Sequence, residues 1–150
     1  MSGGGRGYSM TDENKGLSGT PLATISLTIR TGREHRSRKK LRVVIWQHLK
    51  DLRAAAQASS THSTARFWRD AAGAYVGVRA PRQFGEIHLW TKWMGAGYFA
   101  HELQHFMEDY RFCTEKHPLD DAANERMAYL AGDLTAQFWT KYYEHFQETP

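Results

Sequence analysis

The residues best equipped for chemistry in this chain are His101, Glu102 and His105, in the run His101-Glu102-Leu103-Gln104-His105. On a helix, residues four apart lie one turn apart on the same face, so two imidazoles at this spacing can reach one metal ion. Glu102 sits about 100° round such a helix. A carboxylate there can face a metal-bound water without being a ligand. Zinc lowers the pKa of that water towards ~7, and the glutamate can take its proton as general base. With 8 His and 9 Glu in 150 residues, random placement gives this pattern in roughly 2–3% of such chains, so context must add weight.

The context is a predicted helix over about 97–111. Phe99, Leu103, Phe106, Met107 and Tyr110 form one apolar stripe. His101 and His105 fall on nearly the opposite face, with Tyr98, Glu108 and Asp109. The histidines therefore stand off the core stripe. The competing reading is a solvated polar face.

Two histidines do not hold a catalytic zinc, which usually has three protein ligands and one open position. The downstream candidates are Glu108, Asp109, His117, Asp120, Asp121 and Glu125. Glu108 and Asp109 are so near the motif that a role as partner to an imidazole suits them better. Glu125 is favoured by its surroundings. A last helix over about 119–147 carries an apolar stripe of Ala123, Met127, Leu130, Leu134 and Phe138. Another face reads Glu125, Ala128, Gly132 and Ala136. Small residues there would let another helix approach, and a carboxylate could reach across to the histidines. The alternative is a solvated acid in the first turn, favoured by the helix dipole.

The remaining elements must position this helix. Leu22–Arg30 alternates, with Ala23, Ile25, Leu27 and Ile29 against Thr24, Ser26 and Thr28, and reads as a half-buried strand. A basic stretch then leads into a predicted helix over about 37–58, with Leu41, Val44, Ile45, Leu49, Leu52 and Ala56 on one stripe. Short strands are predicted at 65–69, 74–79 and 84–90, the first two joined through Asp70-Ala71-Ala72-Gly73. In the last strand Ile87 and Leu89 face one way, and Phe84, Glu86, His88 and Trp90 the other. Residues 1–20 are rich in Gly and Ser and read as a flexible tail before one domain over 21–150. The expected class is α+β.

These residues resemble the gluzincin metallopeptidases: His101-Glu102-x-x-His105, then Asn124-Glu125-x-x-Ala128. The resemblance spans about 65–147 and is greatest to minimal single-domain members, including the ImmA/IrrE-like group. It implies a small zincin-like fold. A three- to four-stranded, mostly antiparallel sheet would pack on an N-terminal helix, the active-site helix and a C-terminal helix that carries the third ligand. It implies Zn2+ held by His101, His105 and Glu125, with Glu102 catalytic, and an edge strand pairing with an extended peptide, here residues 84–90. Tyr129, one turn after Glu125, is the candidate oxyanion donor; His88, Tyr142, Tyr143 and His145 are rivals. Two departures stand out. Tyr129 occupies a position where many gluzincins have an acid, and Glu108 and Arg111 exclude the metzincin extension.

Charge and composition frame the alternatives. Residues 1–82 hold 15 Lys and Arg against 5 Asp and Glu, a net +10, and residues 83–150 hold 5 against 11, a net −6. The basic half could meet nucleic acid, an acidic protein or the acidic half itself. The second functional reading is a nucleic-acid-binding or regulatory protein using the basic 30–42 segment, with a structural zinc. A third is a metal-bearing scaffold without turnover. Peptide or protein substrates are the expected partners, and no apolar run approaches the ~20 residues of a membrane helix. A single cysteine, Cys113, and an N-terminus without a hydrophobic region point to the cytoplasm.

Overall fold

A computed structural model describes residues 19–30, 38–59, 72–115 and 119–147. Four strands, β1 (Ala23–Thr28), β2 (Lys40–Trp46), β3 (Gly73–Ala80) and β4 (Gln83–Trp90), make one sheet in the order β1-β2-β4-β3. Helix α1 (Leu49–Ser59) follows β2; a short 3-10 turn (Thr91–Trp93), α2 (Ala96–Thr114) and α3 (Asp121–Phe146) follow β4. The class is α+β, as expected. β1 pairs antiparallel with β2, β4 antiparallel with β3, and β2 parallel with β4.

The helix expected over 37–58 is instead a strand and a shorter helix. Lys40–Trp46 reads KLRVVIW, and its Leu41, Val43 and Ile45 are buried on one face, Val44 and Trp46 on the other. A strand covered on both faces needs a continuous apolar run, and such a run also satisfies a helical stripe. β-branched Val43, Val44 and Ile45 fit the pleat better than a helix. The helix starts only at Leu49 and packs Leu52 and Ala56 on this second face, against Val44 and Trp46 and against Ala74 and Val76.

β1 has the expected alternation, with Ala23, Ile25 and Leu27 buried. Ile87 and Leu89 face the main core as expected, but Phe84 joins them there. A register shift explains it: Lys40 pairs with Gln83 and Leu41 with Gly85, so Phe84 is an extra residue turned inward. Its ring packs on Phe106 and Tyr110 of α2, at 5.7 and 5.2 Å between centroids. β3 and β4 are joined through Pro81-Arg82. The strand expected at 65–69, most of its connection through Asp70 and Ala71, and nearly all of the 1–20 tail lie outside the described residues.

The main core lies between the other sheet face and α2 with α3. Both stripes expected from the sequence are the buried ones: Phe99, Leu103, Phe106, Met107 and Tyr110 on α2, and Ala123, Met127, Leu130, Leu134 and Phe138 on α3. Phe99 and Phe138 stack at 4.1 Å with 5° between planes and join the two helices. Asp120 caps α3 by accepting a hydrogen bond from the Ala123 amide at 2.8 Å, as its residue type favours. At the end of α2, buried Glu115 accepts from the Arg126 guanidinium at 2.7 and 3.2 Å, tying that helix end to α3.

Candidate functional site

α2 presents His101 and His105 on its solvent face, and their ring centroids lie 5.1 Å apart. This is the geometry that the i, i+4 spacing requires. Glu102, one residue along, turns the other way and is buried, with only 5% of its surface exposed. Among the described residues it has no hydrogen-bond partner. Burial pushes its carboxyl above the ordinary carboxylate range; the adjacent His101 and His105 act in the opposite sense but less strongly.

Glu102 occupies a recess between α2 and the first residue of β3. A Cβ placed on Gly73 would lie 2.8 Å from Glu102 Oε2, and 2.9 Å from Cε1 of the Tyr98 ring. Tyr98 is one turn before Glu102. Its hydroxyl donates to the Ala72 carbonyl and accepts from the Trp90 amide at 2.8 Å. It thereby holds the start of α2 to the start of β3 and the end of β4. Burial, the largest cause, pushes the Tyr98 phenol up to about 12. Trp93 stands edge-on to Tyr98, 6.2 Å between centroids, and is 57% exposed.

A second tie joins α2 to β3. Tyr75 lies across Gly85, where a Cβ would come within 2.5 Å of the Tyr75 hydroxyl oxygen, and that hydroxyl donates to Asp109 at 2.6 Å. Glu108 accepts from Gln104 at 3.3 Å. The sequence reads Gly73 as the end of a hairpin connection, whereas it begins β3, and Tyr75 and Gly85 are not singled out. Glycine at a strand end or interior signals a close approach, but nothing local says which side chain approaches.

Glu125 is exposed on α3. Among the described residues, no three His, Cys, Asp or Glu side chains form a group that could hold a metal ion. Glu102 is next to the histidines along the chain but faces β3 rather than their solvent face, and Glu125 does not join them in this arrangement. A groove of about 230 Å³ runs between α2 and α3, lined by Gln104, Glu108 and Arg111 on one side and Asn124, Met127 and Ala128 on the other. The small-residue face of α3 is not a close helix contact along its length, since a Cβ on Gly132 would meet nothing within 4 Å. α3 packs through its apolar stripe instead, and that leaves Ala128, Gly132 and Ala136 outward. His117 lies outside the described residues. Asp120 is engaged as the cap of α3.

Of the oxyanion candidates, Tyr129 is 70% exposed, one turn from Glu125. His88 is removed from contention. It is buried on the sheet face covered by α1, where its Nδ1 accepts from Trp46 Nε1 at 3.0 Å and its Nε2 lies 3.1 Å from Glu86. Tyr142 and Tyr143 line a hollow with Met94, Gly95 and Ala96 at the start of α2, and His145 lies further along α3. β4 is also not the edge strand expected at residues 84–90. It lies between β2 and β3, because β2 takes its second side in parallel, and the strand edge beside Glu102 belongs to β3. No helix among the described residues is long and apolar enough to cross a membrane. No family model, no curated protein and no solved structure matches this chain.

Proposed function

We propose that the chain is a zinc-dependent peptidase, with His101 and His105 as two metal ligands and Glu102 as general base. The observation that carries this reading is Glu102: a buried carboxylate without a hydrogen-bond partner among the described residues, next to two exposed imidazoles one helical turn apart. Burying an unpartnered carboxylate costs several kcal/mol. A merely solvated helix face would leave it in water. Perturbed acids beside ligand-type residues are what hydrolytic sites require.

The donor set suits zinc as far as it is assembled: two imidazoles on one face of the helix, with a carboxylate at the adjacent position. Glu125 is proposed as the third ligand. Its side chain is exposed, and α3 runs against α2 with Phe138 at Phe99 and Arg126 at Glu115, so Glu125 would join the histidines only if the start of α3 moved with it. Bound zinc would acidify a water and polarise the scissile carbonyl. Glu102 would accept a proton from the attacking water and return it to the leaving amine. Tyr129 is proposed as the donor to the oxyanion. The extended peptide would lie along the outer edge of β3, beside Glu102, rather than along 84–90.

The experiment is metal analysis together with cleavage of a quenched-fluorescent peptide library. Wild type should carry about one zinc per chain and lose it in His101→Ala and His105→Ala. Glu102→Gln should retain the metal and lose about 10²–10⁴-fold in kcat. Normal cleavage by Glu102→Gln would sink the role given to Glu102. Absence of zinc binding would sink the whole reading. The alternative, nucleic-acid binding through 30–42, gains no comparable support. Arg30 is held by Asp133, Lys40 by Thr28, and Arg42 by Gln83 and Glu86, while 31–37 lie outside the described residues.

A further inference from the structure

We propose that Gly73 and Tyr98 are positioning residues for Glu102: the missing side chain at Gly73 is the space its carboxylate occupies, and Tyr98 holds the strand ends closed around it. The functional half of this inference rests on the peptidase reading; the packing half does not.

Gly73 is not needed for its backbone angles, because its φ lies outside the left-handed region where only glycine is at ease. What requires glycine is contact. An added Cβ would stand 2.8 Å from Glu102 Oε2 and 2.9 and 3.2 Å from Cε1 and Oη of Tyr98. The Glu102 carboxylate, a side-chain end untethered among the described residues, is the neighbour that would have to move, whereas the Tyr98 ring is pinned. Glu102 is buried against the strand, and both hydrogen-bonding directions of the Tyr98 hydroxyl are used, towards Ala72 and Trp90. The same hydroxyl sets where β3 begins relative to α2. One glycine and one phenol thus decide how far Glu102 can swing towards or away from the histidine face. Placement matters to a base because its oxygen must come within hydrogen-bond reach of the proton it takes, and an error of about 1 Å costs on the order of 10²-fold.

The test has two arms. In the kinetic arm, Gly73→Ala should lower kcat at least tenfold, with KM within about twofold and zinc content unchanged. Tyr98→Phe should lower kcat about three- to tenfold in the same pattern. A kcat within twofold of wild type in either folded variant overturns the positioning role. The second arm needs no activity. Thermal midpoints are measured for Gly73→Ala, Glu102→Ala and the double variant. If Gly73 makes room for Glu102, the loss from Gly73→Ala should be at least halved in the Glu102→Ala background; additive losses overturn the packing claim. Should Gly73→Ala fail to fold, folding of the double variant supports the claim, and Tyr98→Phe, which removes one oxygen, still decides the kinetic arm. If wild type cleaves nothing, or Glu102→Gln cleaves normally, the peptidase reading has failed while the thermal cycle still decides the packing claim.

Discussion

At the scale of single residues, Glu102 and Glu86 are perturbed in opposite directions, and the contrast is one of hydrogen-bond partners. Glu102 is raised by burial and has no donor to stabilise its charge among the described residues. Glu86 is held down to about 2, first by the hydrogen bond from His88 and then by Gln83, with Arg42 adding attraction; burial opposes them. Trp46 donates to His88 Nδ1, so the imidazole proton sits on Nε2 and donates to Glu86. A carboxylate whose folded pKa is depressed stabilises the fold above its unfolded pKa, and that stability is lost as pH falls through the folded value. For Glu86 the window runs from about 4.5 down to about 2. Its contribution at neutral pH is at most about 3 kcal/mol, reduced by solvent screening of its partly exposed side. Acid titration of thermal stability should therefore fall less steeply below pH ~4.5 in Glu86→Gln than in wild type. Equal slopes would show that Glu86 is not a source of acid sensitivity.

At the scale of elements, the two edges of the sheet are treated differently. β1 is closed by α3. Gln137 accepts from the Thr28 amide and donates to the Thr28 carbonyl, both at 2.9 Å, in the manner of a neighbouring strand. Lys141 reaches the Ser26 carbonyl at 2.6 Å, and Asp133 binds Arg30. Such cover keeps an edge from pairing with other chains. Gln137→Ala should cost about 1–4 kcal/mol for three lost hydrogen bonds, the third to Asp133 at 2.9 Å, read as a lower urea midpoint, and should raise self-association in sedimentation. A variant as stable and as monodisperse as wild type would show that the edge needs no such cover. β3, the other edge among the described residues, carries no such cover in the hydrogen bonds from α3, and its first residue lies next to Glu102.

At the scale of the whole molecule, the uneven charge of the chain finds its counterpart inside the fold. Arg30 from the basic half binds Asp133 from the acidic half at 2.6 Å, and Arg42 lies 3.6 Å from Glu86. Part of the basic excess therefore serves to hold the halves together. The main core is one body across β1, β2, β4, α2 and α3, and Phe138 stacked on Phe99 lies at the junction of the two long helices. Phe138→Ala should lower the free energy of unfolding by about 3–5 kcal/mol. The check is denaturant unfolding followed by far-ultraviolet circular dichroism and tryptophan fluorescence, whose transitions should move together. A loss below 1 kcal/mol would mean that α3 is not integral to the core.

Local periodicity makes much of this molecule legible in its sequence. The 3.6-residue repeat places both long helices, their buried stripes, and the histidine pair on the face away from the core, because those features depend only on residues within a few turns of one another. Alternation likewise places β1 and most of β4. What depends on a distant partner is out of its reach. Lys40–Trp46 is a strand because β1 and β4 flank it and α1 covers it. Phe84 turns inward because the pairing of β2 with β4 slips by one residue. Glu102 is buried beside Gly73 of a separate strand, and Thr28 is satisfied by Gln137, which is 109 residues away. Spacing along a helix fixes which way a side chain leaves the axis; only the packing of remote segments fixes what it meets there.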